Sequence, residues 1–258
     1  MIDETLKGTV RYLGTHFCGW QAQDGQRSVQ GEIEGALSRI ASRPIRIQGA
    51  GRTDAGVHAL GQVFSCVWPR PLHATLRHAL CRMLEPEIQI TGLSAVPADF
   101  NARFSAISKR YCYTFHFSRE MDPFCAPYCW QVPYAVDLER MAALLPRLEG
   151  THDFAGFQST GSQMKTTVRT IYEARLLPGA VIGPADAADV WHLELYGDGF
   201  LYHMVRNIAG TLVEIGRGRF GPEFLDGALT SGGPFRGHCA PAQGLVLKEV
   251  HYPAEYGG

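Results

Sequence analysis

The spacing of apolar residues changes period along the chain, and the changes mark out elements. Leu6 to Leu13 reads as a first strand, followed by a polar and glycine-containing loop from Gly14 to Arg27. Val29, Ile33, Leu37 and Ile40 then recur at helical spacing behind Ser28, whose hydroxyl suits an N-cap. Pro44 to Gln48 is a short β-prone stretch, and Gly49 to Gly61 is a glycine-rich loop. Gln62 to Trp68 is β-rich, Leu72 to Leu84 is helix-like, and Ile88 to Val96 alternates as a strand does. The order is β-α-β-β-α-β.

The second half predicts the same order. Arg110 to Phe117 reads as a strand, and Leu138 to Leu148 as a helix that Pro146 ends. Val168 to Leu177 and Val190 to Tyr196 are strands around a Gly/Pro/Ala-rich loop. Leu201 to Ile215 is a strong helix, a short one follows near Glu223 to Leu229, and Leu245 to Tyr252 is a final strand. Two such units predict an α+β protein of two ferredoxin-like (RRM-like) halves, residues 1–105 and 106–258, with a cleft between them. The halves share element order and no evident sequence identity.

Composition adds little to this. The chain of 258 residues has a net charge of -1, whereas proteins that coat nucleic acid are usually basic, so composition gives no support to nucleic-acid binding. RNA binding would need cations gathered on one face. Seven cysteines occur without a C-x-x-C pair or a His/Cys cluster at metal-ligand spacing. They read as reduced thiols, and no metal is expected. The acidic start lacks a signal-peptide core, and no apolar run is long enough for a bilayer. The expected compartment is the cytoplasm, with no membrane association.

The most informative run is Gly49-Ala50-Gly51-Arg52-Thr53-Asp54-Ala55-Gly56-Val57-His58-Ala59-Leu60-Gly61-Gln62-Val63. It lacks the G-K-[ST] ending of a phosphate loop and the third glycine of a dinucleotide fingerprint. Read alone, it is a glycine-rich turn whose aspartate is more often a cap than a catalyst. Arg52 and Asp54 are two apart, so both side chains could face one cleft.

This run resembles the signature of the tRNA pseudouridine synthase A family. Companion motifs stand in that family's order: Gly19-Trp20-Gln21 with Ser28-Val29-Gln30, Phe100 to Ala106 with Lys109 to Tyr113, Phe200 to Asn207, and Ala240 to Leu247. The resemblance implies uridine isomerisation in the tRNA anticodon stem-loop, at positions 38, 39 and 40, by a homodimer without a cofactor. It implies that Asp54 is the catalytic carboxylate, that Tyr111 lies against the uracil, that Arg206 pairs with Asp54, and that Leu245 walls the pocket. Arg52, Phe100, Asn101, Ala102, Arg103, Phe104, Arg119 and the loop Gly161, Ser162, Gln163, Met164, Lys165 correspond to RNA-contacting stretches. Asn101 departs from the His or Asp frequent at its position.

The implied chemistry suits the residues. Isomerisation breaks one glycosidic bond and makes a C–C bond, with no redox change. A carboxylate beside C1′ can stabilise positive charge there, add to it, or take a ribose proton. A neighbouring guanidinium favours the ionised carboxylate. Two other classes compete: a catalytically silent RNA-binding protein, and a nucleoside hydrolase using Asp54. The hydrolase would want a second carboxylate, and none is evident beside Asp54 in the sequence. His203, Arg206, Asn207, Gly210 and Glu214 share one helical stripe, which reads by itself as an ordinary solvated face.

Overall fold

A computed structural model describes residues 3–161, 165–183, 189–230 and 237–257, and they form a mixed α+β protein. The chain divides into two compact units, Met1–Lys109 with Val246–Gly258, and Arg110–Leu245. The expected boundary is 105/106. The C-terminal segment joins the first unit, whereas the sequence reading leaves it in the second.

The first unit begins with β1 (Glu4–Tyr12), in which Leu6, Val10 and Tyr12 alternate into the core. The helix α1 (Val29–Ala41) starts where expected, because the Ser28 hydroxyl accepts from the Gly31 amide at 3.2 Å. Val29, Ile33, Ala36 and Leu37 form its buried stripe. Then come β2 (Ile47–Gly49), β3 (His58–Trp68), α2 (Thr75–Leu84) and β4 (Ile88–Val96). The helix α2 is shorter than its apolar pattern. The His73 ring, at 2.7 Å from the Thr75 hydroxyl, occupies the turn ahead of it. The sheet runs β4-β1-β3-β2 with every pair antiparallel.

In the second unit β5 (Ser108–His116) is followed by β6 (Trp130–Gln131) and α3 (Leu138–Ala142). The expected helix to Leu148 stops early. Pro146 has no amide to give, and Leu145–Arg147 form a 3-10 turn instead. After β7 (Gly150–Asp153), β8 (Val168–Pro178) and β9 (Val190–Gly197) come α4 (Met204–Gly216) and α5 (Glu223–Thr230). The sheet order here is β5-β9-β8-β7, with β6 parallel on β5. The two- and four-residue strands β6 and β7 have no clear alternation, so the sequence reading omits them.

The last strand, β10 (Leu245–His251), returns to the first unit and runs parallel to β3, with Val246 opposite His58 and Leu247 opposite Ala59. β2 pairs farther along β3, at Phe64 to Cys66. The segment after β10 is fastened by Tyr252, buried with Phe100, Ala102, Ala50 and Val63. Its hydroxyl donates to the Ala102 carbonyl at 2.6 Å. Lys7 lies over its ring at 4.9 Å. All seven cysteines are free thiols, and burial pushes those of Cys66 and Cys129 up to about 12.

Candidate active site

Asp54 lies in the loop between β2 and β3, half-buried. Its carbonyl accepts from the Val57 amide at 3.1 Å, and Gly56 takes φ 81° within that turn. The loop is tied down on both sides of the aspartate. The Trp20 amide donates to the Thr53 carbonyl at 3.0 Å, and the Tyr12 hydroxyl meets the Thr53 hydroxyl at 2.8 Å. Burial raises the Tyr12 pKa well above the ordinary phenol value, so this hydroxyl stays protonated. Gln62 donates to the Gly51 carbonyl at 2.9 Å, and Lys109 to that of Ala50, also at 2.9 Å.

The N-terminal loop packs against this turn by backbone approach. Gly19 has φ 93°, and a Cβ there would stand 2.6 Å from the Thr53 carbonyl oxygen. His58 is buried, and its Nδ1 accepts from the Gly14 amide at 3.0 Å. That bond assigns the ring proton to Nε2 and gives His58 a structural task.

Arg52 is exposed and steered from behind. Its Nε donates to Gln21 at 3.1 Å, and Gln21 donates to Gln30 at 2.8 Å. Gln30 donates to Glu34 at 2.9 Å, and Glu34 accepts from the Ile47 amide at 3.0 Å and from Arg46 at 2.6 Å. A polar chain thus runs from the buried face of α1 to the guanidinium two residues before Asp54. The sequence motifs contain Gln21 and Gln30, but assign them no role. The available signal was Gln30 and Glu34 at i and i+4 beside the apolar stripe.

The segment after β4 sorts the proposed RNA-contacting residues. The Phe100 and Ala102 side chains are buried. The Asn101 side chain accepts from the Arg103 and Phe104 amides at 2.9 and 3.1 Å, which builds an Asx turn. At the tip Arg103 and Phe104 are exposed, Phe104 by 78%, with the guanidinium over the ring at 5.4 Å.

In the second unit Tyr111 is buried on β5, its ring edge-on to Phe200 with centroids 5.2 Å apart. Tyr113, on the same strand face, is a core residue and donates to the Pro241 carbonyl at 2.8 Å. Burial raises its pKa, a rise that the Arg206 charge partly offsets. Leu245 is buried at the start of β10.

The stripe of α4 is not a solvated face. Every residue of this helix except Arg206 is buried. Arg206 is half-buried and donates through Nε to the Ala240 carbonyl at 2.7 Å. Gly210 makes room for that strand of chain: a Cβ on it would lie 1.7 Å from the His238 carbonyl oxygen. The buried Glu214 takes Arg217 and Arg219, each at 3.2 Å. Arg119, Gly161 and Lys165 are exposed, and Ser162, Gln163 and Met164 lie outside the described residues.

One grouping was invisible in the sequence. Cys112, His192 and Glu194 bring ligand atoms within 4.8 Å of one another. Glu194 already accepts from Arg110 at 2.7 Å, and the Cys112 thiol points to it at 3.5 Å. This ion pair is a sufficient reason for a buried carboxylate here, without a metal.

The pattern that defines the tRNA pseudouridine synthase family matches residues 9–105 and 145–253. The chain belongs to this family, and it is therefore an isomerase of the pseudouridine synthase class. It is 39% identical to tRNA pseudouridine synthase A of Ligilactobacillus salivarius over 258 residues, covering 98% of each chain. It is 40% identical to the protein of that name from Latilactobacillus sakei, over 97% of this chain and 100% of the relative. The Geobacillus protein of that name is 39% identical over 97% of this chain and 99% of its own. Among the described residues, no helix is long and apolar enough to cross a membrane.

Proposed function

We propose that this protein converts uridine to pseudouridine in the anticodon stem-loop of tRNA, at positions 38, 39 and 40, with Asp54 as the catalytic carboxylate. The observation that carries the reading is the seat of Asp54. It stands half-buried in a loop held by β1, β3, the N-terminal loop and Lys109, within the run that matches the family. Preorganisation of this kind suits a group that must meet one atom of a flipped nucleotide.

The reaction balances without a co-reactant. The N1–C1′ bond breaks, the uracil turns, a C5–C1′ bond forms, and the C5 proton leaves while N1 is protonated. Asp54 stabilises or captures the electron-poor C1′, or takes a ribose proton. Arg206 is the cation paired with it, Tyr111 lies against the uracil, and Leu245 walls the pocket. Arg52, Arg103, Phe104, Arg119, Gly161 and Lys165 meet the RNA, and Phe100, Asn101 and Ala102 shape the turn that presents two of them. Ser162, Gln163 and Met164 are assigned to RNA contact as well. The all-antiparallel β4-β1-β3-β2 order supports a ferredoxin-like first half, and a related second half completes the fold. The working form is a cytoplasmic homodimer bound to tRNA.

The test is release of tritium from tRNA labelled at uridine C5. Wild type releases it, and Asp54→Ala lowers the rate on the order of 10⁴-fold or more while keeping fold and tRNA affinity. Wild-type binding without release leaves only an RNA-binding protein, and free uracil among the products would identify a hydrolase.

A further inference from the structure

The entry to α4 contains a feature that the proposed reaction leaves unused. His203 has φ 62°, a left-handed conformation that a residue with a Cβ adopts unfavourably. Helix entry does not require it, since glycine or asparagine would make the same bend with less strain. What histidine adds is a ring. The ring of Tyr202 stacks on it, with centroids 3.8 Å apart and planes 26° from parallel. Tyr202 is 40% exposed.

The bend is held from below. The His203 Nδ1 lies 3.0 Å from the Ser159 hydroxyl, and the Ser159 amide donates to the Tyr202 carbonyl at 3.2 Å. The buried Asn207 donates to the Ser159 hydroxyl at 3.2 Å and to the Phe157 carbonyl at 2.8 Å. These bonds fix a tyrosine at the surface within one turn of Arg206. The same anchored segment continues to the exposed Gly161, with Lys165 farther along.

We propose that Tyr202, backed by His203, is a stacking platform for an unpaired nucleobase of the RNA substrate. The inference rests on the RNA-modifying reading above and adds a binding contact to it. Every base has a π face, so the platform tolerates any base and contributes affinity without selecting sequence. His203 is the positioning residue, and Tyr202 the group that touches RNA.

The test uses full-length tRNA and reads Kd, KM, kcat and the thermal midpoint. Tyr202→Ala raises Kd and KM on the order of 5- to 100-fold, with the loss on KM rather than kcat and no change in midpoint. Tyr202→Phe, which keeps a π face, recovers most of the affinity. His203→Gly keeps or raises the midpoint by relieving the bend, yet weakens tRNA binding because the stack loses its base. Wild-type affinity in Tyr202→Ala overturns the platform. So does an affinity loss shared by Tyr202→Phe, or one that tracks a fallen midpoint. The binding series stands apart from tritium release: an inactive wild type refutes the reaction, whereas an active wild type with an indifferent Tyr202→Ala refutes the platform alone.

Discussion

The Asp54 loop and the entry to α4 solve the same problem in opposite ways. Both hold a polar side chain at the edge of a core. The Asp54 loop is tied by many ordinary bonds from Tyr12, Trp20, Gln62, Lys109 and Val57, each contributing about 1 kcal/mol. The α4 segment depends on a few severe contacts: a buried Asn207 near its start and, farther along the helix, a glycine pressed against a carbonyl. A distributed anchorage loses little when one bond goes. A concentrated one fails at single positions.

Gly210→Ala should therefore produce the largest stability loss. Its methyl group would overlap the His238 carbonyl oxygen at 1.7 Å, with the carbonyl carbon at 2.8 Å. Either α4 or the segment at His238 must move, at a cost of about 3 kcal/mol that the better helix propensity of alanine only partly offsets. Because the next residues include Ala240, which accepts from Arg206, turnover should fall as well. Urea unfolding and tritium release on the same variant check both effects. Wild-type stability would show that this contact has slack and that α4, like the Asp54 loop, is held by many small contributions.

What could be read in the sequence follows the same contrast. Regular elements with a clean period were legible: α1 with its Ser28 cap, β4 with its alternation, and the element order of the first half. Asp54 became a candidate only through the glycine-rich run around it, since an aspartate in a turn has no signature of its own. The relay from Glu34 through Gln30 and Gln21 to Arg52 was hidden, because it joins residues that become neighbours only when α1 packs beside β2. The partner of β10 was hidden too, since strand pairing over such a separation leaves no local trace. The stripe of α4 invited the wrong environment. Polar residues at helical spacing usually face water, but here Asn207 and Glu214 are buried and bonded internally.

Gln30→Ala tests the distributed side. It removes the two bonds donated to Glu34 and the Ile47 carbonyl, and the two accepted from Gln21 and the Ala22 amide. Part of this network is exposed and water replaces it, so the loss is about 1 to 2 kcal/mol. Arg52 loses its backing, and tRNA affinity should fall a few-fold while the Asp54 turn stays ordered. Amide exchange at Val57 and Trp20, compared with wild type, separates the two effects. Faster exchange at both would mean that the loop depends on a single relay.

Glu87 offers the smallest and most selective perturbation. Its carboxylate lies 2.6 Å from His16 and 2.7 Å from Arg27, and its backbone carbonyl accepts from the Leu13 amide. It thereby clips the N-terminal loop that backs Asp54. The hydrogen bonds from His16 and Arg27 hold its pKa below the ordinary carboxylate value. A depressed folded-state pKa means that the clip stabilises fully above the unfolded value, near 4.5, and loses that contribution as pH falls through the folded value. Glu87→Gln should then be less stable than wild type at neutral pH, by about half a kcal/mol or less because solvent screens the pair. The difference should vanish in acid, below the folded pKa. Paired urea titrations across that range check the sign, and a gap that widened in acid would refute it. If the anchorage is distributed, the neutral-pH loss should leave tritium release within about twofold of wild type, since the bonds from Trp20, Tyr12 and Gln62 still hold the aspartate in place.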